Sequence, residues 1–159
     1  FGDWNSKTSV IKAARYCEDL REQCLKERRS FVFETVFSAQ DKIDFIIRAK
    51  ATGFFIRLFF IGTSSPAINA SRIARRVMEG GHDVAIPKII SRYQKSIINC
   101  CLISKLVDRL YVYDNSVDNF PAKLQYRLSN GVLVKQYVDN IAEWATRIIS
   151  SYPETSVQD

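Results

Sequence analysis

The sequence is poor in the residues that most often carry catalysis. It contains one histidine, His82, so a serine–histidine or cysteine–histidine triad has a single candidate base and a hydrolase is disfavoured. It also contains no Gly-x-x-x-x-Gly-Lys-Ser/Thr phosphate loop and no Gly-x-Gly-x-x-Gly dinucleotide fingerprint. His82 follows two glycines, which is typical of a structural turn residue, and we assign it no catalytic role.

Long apolar runs and targeting signals are missing too. The most apolar run, residues 54–61, is interrupted by Arg57 and has the length of a strand, so we expect no transmembrane helix and no membrane partner. The first residues have neither the basic start nor the apolar core of a signal peptide. The cysteines follow neither a zinc-ligand spacing nor a disulfide pattern, which favours reduced thiols in a cytoplasmic protein without a metal site; they are Cys17, Cys24, Cys100 and Cys101.

The chain has an ordinary globular composition with one concentrated basic region. Its 159 residues suit a single domain, and 47% apolar with 25% charged residues excludes a disordered, collagen-like or coiled-coil chain. The net charge is +6, and the stretch from Arg48 to Lys95 holds nine basic and only two acidic residues. This excess predicts an anionic ligand such as a phosphate, a nucleotide or a nucleic acid, although solvated helix faces explain it equally well.

Apolar spacing predicts strands that alternate with helices, and therefore an α/β domain. The expected helices are residues 6–29, 38–53, 65–79, 87–106 and 138–150, and the expected strands are 30–34, 54–61 and 110–113. Consecutive apolar residues in the first two strands are typical of a parallel sheet that is covered on both faces. Asn130-Gly131 predicts a hairpin between 124–129 and 132–136. We expect one domain over residues 1–150 and a flexible polar tail over 151–159.

Three groups of residues are candidates for chemistry. Glu34 and Thr35 stand at the carboxyl end of a predicted strand, where open α/β sheets bind ligands, although such a pair often only meets solvent. Arg76 and Arg92 flank Gly80-Gly81 in a predicted flap over about 76–92 and suit a phosphate, although solvated arginines beside a helix stop are common. Asp114 and Asn115 follow a third strand and suit a base or a ribose, or form an Asx turn.

Taken in order, these segments resemble the zeta-toxin-like P-loop kinases, a group that includes many predicted ATPases. The segments are SFVFETVFS, GFFIRLFFIG, RIARRVMEGGHDV, ISRYQKS and LYVYDNS, and they span about residues 13–116. Each motif is weak alone, but the combination is fairly specific. The chain departs from the usual pattern at Ala85, where the family has a proline after the GGH-x-V run; here the proline is Pro87.

The resemblance implies a function and a role for each candidate residue. The fold would be a P-loop-kinase-like parallel sheet flanked by helices, incomplete at its N-terminal strands, with a C-terminal hairpin and helix. ATP with Mg²⁺ would be the cofactor, and a nucleotide sugar such as a UDP-N-acetylsugar would accept the phosphoryl group. Glu34 and Thr35 would bind the acceptor, and Asp114 and Asn115 would bind the nucleotide. The lid arginines, Arg76 and Arg92, would neutralise charge on the transferred phosphoryl group. An antitoxin protein would be a partner.

The same resemblance shows which parts this sequence lacks. The family's phosphate loop and its strand would precede Phe1, and that strand would lie between residues 31–35 and 54–61. We therefore expect this chain not to turn over ATP, and to be unstable alone or completed by polypeptide outside the sequence. The alternative is a non-catalytic module, derived from such a kinase, that binds a nucleotide, an RNA or a protein. A plain nucleic-acid binder is a weaker option, because no run of basic and aromatic residues supports a nucleic-acid partner.

Overall fold

A computed structural model describes residues 6–81 and 83–150. They form five helices and four strands, and the chain divides into two compact units, residues 1–35 and 36–159. In chain order the elements are α1 (Lys7–Lys26), α2 (Gln40–Ala51), β1 (Arg57–Gly62), α3 (Pro66–Met78), α4 (Ile86–Ile103), β2 (Arg109–Asp114), β3 (Lys123–Ser129), β4 (Val132–Gln136) and α5 (Glu143–Ser150).

The first unit consists of α1 and an irregular segment after it. The spacing of five residues predicts an apolar stripe on α1, namely Val10, Ala14, Cys17, Leu20 and Cys24. Of these only Cys24 is buried, and Arg29 donates a hydrogen bond to its Sγ at 3.4 Å. The segment after α1 is held by ring contacts: Phe31 stacks on Phe33 at 6.0 Å, and the Arg21 guanidinium lies over the Phe33 ring at 5.2 Å.

The strand predicted over residues 30–34 is not formed. This segment has no strand pairing in the described part of the chain, and Val32 is 98% exposed. An extended segment becomes a strand only when a neighbouring strand takes up its backbone N–H and C=O groups. Consecutive apolar residues are therefore not sufficient to place this segment in the sheet.

The second unit is an α/β structure built on a four-stranded mixed sheet in the order β1-β2-β3-β4. β1 runs parallel to β2, and the pairs β2–β3 and β3–β4 are antiparallel. The hairpin predicted from Asn130-Gly131 is confirmed, because both residues have positive φ (46° and 83°), as the tight turn requires. The C-terminal helix is confirmed in a shorter form, starting at Glu143 rather than near residue 138.

One face of the sheet carries the core. Leu110, Val112, Tyr126 and Leu128 are fully buried, and they belong to one apolar cluster with residues of α2, α4 and α5. Burial of these side chains is the main favourable term for folding. On β1, Phe60 joins this cluster while its neighbours Phe59 and Ile61 are more than half exposed, as the alternation of a strand requires.

The residues expected to cap the N-termini of the helices do so in α3 but not in α1 and α2. Ser65-Pro66 in the sequence predicts an N-cap followed by the first helical residue, and this is confirmed: Ser65 caps α3 by accepting a hydrogen bond from the Ala67 N–H at 3.1 Å, and Pro66 begins the helix. Ser6 precedes α1 without a side-chain cap, and Ala39 rather than Ser38 precedes α2. None of the helices in residues 6–81 and 83–150 has the length and apolarity needed to cross a bilayer.

Asp108 connects four parts of the second unit. Its carboxylate accepts hydrogen bonds from the Ile56 N–H at 2.7 Å and from Lys50 Nζ at 2.6 Å, and its carbonyl accepts from Asn130 and Ser129. Burial by itself would raise the pKa of Asp108, but the Ile56 and Lys50 hydrogen bonds outweigh it and lower the pKa below its usual value. Asp108 thus joins α2 and the start of β1 to β2 and the hairpin turn.

We expect Asp108→Ala to lower the free energy of unfolding by about 1–3 kcal/mol, because the Ile56 N–H loses its acceptor. Since folding lowers this pKa, the carboxylate stabilises the chain above about pH 4, and the contribution is lost as the pH falls further. Urea titrations at several pH values measure both effects. The exposed Asp139→Ala is the matched control, with an expected change below about 0.5 kcal/mol. Equal losses in the two variants would contradict the role of Asp108.

Candidate functional site

The carboxyl ends of β1 and β2 meet at one edge of the sheet, because the two strands are parallel and Gly62 pairs with Asp114. Their following loops are joined by two hydrogen bonds: the Asn115 N–H donates to the Gly62 carbonyl at 2.8 Å, and the Ser64 N–H donates to Ser116 Oγ at 2.8 Å. This is the position at which parallel α/β sheets bind ligands. We call it the strand-end site, defined by residues 62–65 and 114–116.

Asp114 and Asn115 each keep polar atoms available at the strand-end site. Asp114 Oδ1 accepts hydrogen bonds from Ser116 Oγ and from Trp144 Nε1, whereas Oδ2 has no hydrogen-bond partner within the described part of the chain. The Asn115 backbone is bound on both sides, but its side-chain amide makes no hydrogen bond among the described residues. One carboxylate oxygen and one amide group are therefore available to a ligand.

The Trp144 ring supports the strand-end site from α5. It is 3% exposed, packs against Phe60 at 6.0 Å, and lies so close to Gly62 that a Cβ there would come within 2.4 Å of the ring. Its Nε1–H donates to Asp114 Oδ1 at 2.9 Å. A glycine at the end of β1 is thus required by the tryptophan, and the tryptophan orients the Asp114 carboxylate.

Tyr93 attaches α4 to the same site. Its hydroxyl donates to the Thr63 carbonyl at 2.9 Å, while Thr63 Oγ1 binds the Ser65 carbonyl and Asn69 Oδ1 in the first turn of α3. Burial raises the pKa of Tyr93, and although Arg147 opposes this shift, the negative charge of Asp114 adds to it. The hydroxyl therefore stays protonated at neutral pH and remains a donor.

The predicted flap begins at a sharp helix stop. α3 ends at Met78, Gly80 has a φ of 88°, and the Gly81 N–H donates to the Arg76 carbonyl at 2.7 Å. A Cβ at Gly81 would lie only 2.7 Å from that carbonyl oxygen, so the turn requires glycine there. Arg76 is in the last turn of α3, which packs against α4.

Arginines on α3 and α4 fall into two groups. Arg72 donates to Asp118 at 2.8 Å and to the Asn115 carbonyl at 2.8 Å and so holds the loop after β2, whereas Arg75 makes only an exposed ion pair with Asp118 at 3.8 Å, which contributes little. The guanidinium groups of Arg76 and Arg92 make no hydrogen bond or ion pair with any residue in 6–81 or 83–150. The two arginines singled out from the sequence are thus the two whose guanidinium groups are uncommitted.

The other predicted residues are placed as follows. Glu34 and Thr35 end the first unit in an irregular, exposed segment rather than at the end of a strand. His82 and the tail over 151–159 lie outside the described residues. None of the four cysteines, all of which the structure describes, forms a disulfide, and burial raises the pKa of the Cys100 thiol well above its ordinary value.

Several residues of the site were missed in the sequence. Trp144 and Tyr93 gave no local signal, because each acts through a contact with a distant strand end. Arg72 was counted only as part of the basic region, and its pairing with Asp118 across 46 residues is a tertiary contact. The sequence contains Gly62, but it does not reveal that the Trp144 ring leaves no room for a side chain there.

The described residues do not form a cation site of their own. Within them, no group of three or more His, Cys, Asp or Glu side chains is arranged to hold a metal ion. Mg²⁺, which the kinase resemblance implies, is usually held by only one or two carboxylates together with substrate phosphates, and we assign no step to it.

Comparison with known proteins finds one similar sequence. An uncharacterized protein of Haemophilus influenzae is 33% identical over 89 residues, which are 56% of this chain. The chain spans 64% of the length of that protein, slightly less than two thirds. No protein-family model matches the chain, and no solved structure matches it.

Proposed function

We propose that this chain is the acceptor-and-lid part of a zeta-toxin-like kinase, which transfers the γ-phosphoryl group of ATP to a small molecule such as a UDP-N-acetylsugar. The observation that carries the proposal is the pair of uncommitted arginines, Arg76 and Arg92, on the two helices that flank the Gly80-Gly81 turn. Guanidinium groups suit a transferred phosphoryl group because they are always charged and offer several planar donors. Catalysis of phosphoryl transfer consists mainly of positioning and of charge stabilisation.

In this proposal the nucleotide binds at the strand-end site. Asp114 Oδ2 and the Asn115 amide have no hydrogen-bond partners in the described chain and suit the donors and acceptors of a base or a ribose. The Arg72 contacts with Asp118 and with the Asn115 carbonyl fix the loop that carries them. In this proposal Glu34 and Thr35 bind the acceptor, a role that rests on the resemblance alone.

The outer edge of β1 supports the kinase arrangement of the sheet. In the described chain β1 pairs only with β2, so the N–H and C=O groups on its other edge have no ladder partner. The phosphate-loop strand of such a kinase would pair with β1 at that edge and run parallel to it. This strand and its loop would be supplied by polypeptide outside this sequence, and we expect no ATP turnover by the chain as it stands.

Ligand titration of the chain itself tests the proposal. We expect ATP and UDP-N-acetylglucosamine, added in millimolar amounts, to shift the side-chain Nε–H NMR signals of Arg76 and Arg92. The signals of Arg72 and Arg75 should move little, because Asp118 already binds both side chains. Arg76→Gln with Arg92→Gln should weaken binding at least about tenfold, since two charge-assisted hydrogen bonds are lost.

The matched control removes the same charge elsewhere on these helices. Arg75→Gln with Lys88→Gln changes two exposed cations and should leave the affinity within about twofold. Binding of neither ligand, or equal weakening by both pairs of substitutions, would contradict the proposal.

A further inference from the structure

The sheet face opposite the core combines cations and aromatic rings from all four strands. Strand pairing places Phe59 opposite Tyr111, Tyr111 opposite Arg127, and Arg127 opposite Lys135, so that one row of side chains crosses the sheet. We call this surface the outer face; it is defined by these four residues, by Arg57 and Arg109 in the adjacent row, and by Phe55 before β1. The strand spacing gives the row a length of roughly 14 Å.

Positive charges on the outer face are close together and uncompensated. Arg57 lies directly opposite Arg109, and both guanidinium groups lie over the Phe55 ring, at 5.5 and 5.6 Å. Like charges that face each other across strands destabilise a sheet. None of the four cations of this face forms an ion pair with a carboxylate in the described chain; they are Arg57, Arg109, Arg127 and Lys135. The arrangement is therefore unfavourable for the sheet alone and suits an anionic ligand.

Arg109 and Arg127 both neighbour Tyr111 on the outer face, Arg109 two residues before it on β2 and Arg127 opposite it on β3. Hydrogen bonding from the Arg109 side chain, with a further hydrogen bond from Arg127, lowers the pKa of the Tyr111 hydroxyl below its ordinary value. Arg127 Nε is buried and has no hydrogen-bond partner among the described residues. A buried unpaired donor is costly to the sheet.

Aromatic rings lie beside these charges. Phe59 stacks on Tyr111 with ring centres 5.0 Å apart and planes 12° apart, yet Phe59 remains 56% exposed and Phe55 58% exposed. Flat rings next to arginines on an open sheet suit unpaired bases, which stack on aromatic side chains while arginines bind the phosphates. An acidic protein segment would use the charges but gain little from the rings.

We propose that the outer face binds single-stranded nucleic acid, with phosphates at Arg109, Arg127 and Lys135 and bases stacked on Phe59 and Phe55. The proposal does not depend on the kinase assignment. A further strand at the edge of β1 would use backbone groups, whereas this surface uses side chains that stand on the sheet face. No single run of sequence contains these residues together, so no sequence motif marks this surface as a nucleic-acid interface.

Fluorescence anisotropy with a labelled oligouridine of about ten nucleotides tests the proposal on the full chain. We expect binding that weakens steeply with salt. Arg109→Gln with Arg127→Gln should reduce the slope of log affinity against log salt by about 1.4, because each phosphate contact on a single strand contributes about 0.7. Phe59→Ala should weaken binding about 5- to 150-fold, the usual effect of losing one base–aromatic stack.

Matched variants and a second anion separate this proposal from the alternatives. Arg75→Gln with Lys88→Gln removes the same charge from α3 and α4 and should leave the salt slope unchanged. Circular dichroism confirms that each variant is folded. If the two double variants reduced the salt slope of binding equally, the effect would come from net charge alone and the proposal would be overturned. Polyglutamate binding as tight as oligouridine binding, with Phe59→Ala neutral for both, would also overturn it and indicate an acidic protein partner.

Discussion

Trp144→Ala is expected to lower the free energy of unfolding by about 3–5 kcal/mol, the usual cost of truncating a buried tryptophan to alanine. The ring is 3% exposed, packs against Phe60 and fills the space over Gly62, so its removal leaves a cavity between α5 and the end of β1. Domains of this size have about 5–15 kcal/mol of stability in total. Urea titration followed by far-ultraviolet circular dichroism measures the change.

Two further variants identify the source of this effect. Trp144→Phe keeps most of the packing but loses the hydrogen bond to Asp114. We expect it to lower the free energy of unfolding by about 1 kcal/mol beyond the loss caused by the smaller ring. Glu143→Ala changes the exposed neighbour in α5 and should shift stability by less than about 0.5 kcal/mol. A Trp144→Ala variant as stable as Glu143→Ala would show that α5 does not pack against the strand ends.

Arg92→Ala is expected to reduce phosphoryl transfer by about 10²–10³-fold in the kinase that this chain is proposed to complete. A loss of this size is typical when one preorganised donor to the developing negative charge is removed. Arg92 lies in the second turn of α4, half-buried, one residue before Tyr93, whose hydroxyl holds α4 to Thr63. Its position is thus fixed by the fold, while its guanidinium group is left for a ligand.

The control for this measurement is Arg75→Ala. Arg75 belongs to the same basic region but lies near Asp118, which supports the loop after β2. We expect the Arg75→Ala variant to transfer phosphoryl groups at a rate within about twofold of the unmodified protein. We expect Arg92→Lys to keep only part of the activity, because lysine lacks the planar fork of donors. Equal rates for Arg92→Ala and Arg75→Ala would exclude the assigned role.

Local signals in the sequence predicted the local features of the fold. Asn130-Gly131 predicted the hairpin, Ser65-Pro66 predicted the start of α3, and Gly80-Gly81 predicted its end, because turns and caps depend on a few adjacent residues. The prediction of a strand over residues 30–34 is wrong for the opposite reason. Whether it forms a strand depends on a pairing partner, and its apolar pattern carries no information about that partner.

The candidate site likewise contains some residues that local sequence signals indicate and others that only tertiary contacts reveal. The sequence points to Arg76, Arg92, Asp114 and Asn115 as candidates because each stands next to a turn or at the end of a strand in the sequence itself. Trp144 was not found, since its role is to contact a strand end 30 residues away. The cations of the outer face were not found either, because strand register alone brings Arg57 beside Arg109 and Arg127 beside Lys135. Features that depend on tertiary pairing cannot be predicted from neighbouring residues.

Phosphoryl transfer by the polypeptide from its native source, measured together with its intact mass, tests the kinase assignment most directly. The protein is incubated with γ-labelled ATP, Mg²⁺ and UDP-N-acetylglucosamine, and label is sought in the nucleotide sugar. We predict transfer by a polypeptide several kilodaltons larger than 18.2 kDa, and none by a chain of 18.2 kDa, which contains no phosphate loop. Transfer by the 18.2 kDa chain alone, or none to any nucleotide sugar by a longer polypeptide with a phosphate loop, would contradict the assignment.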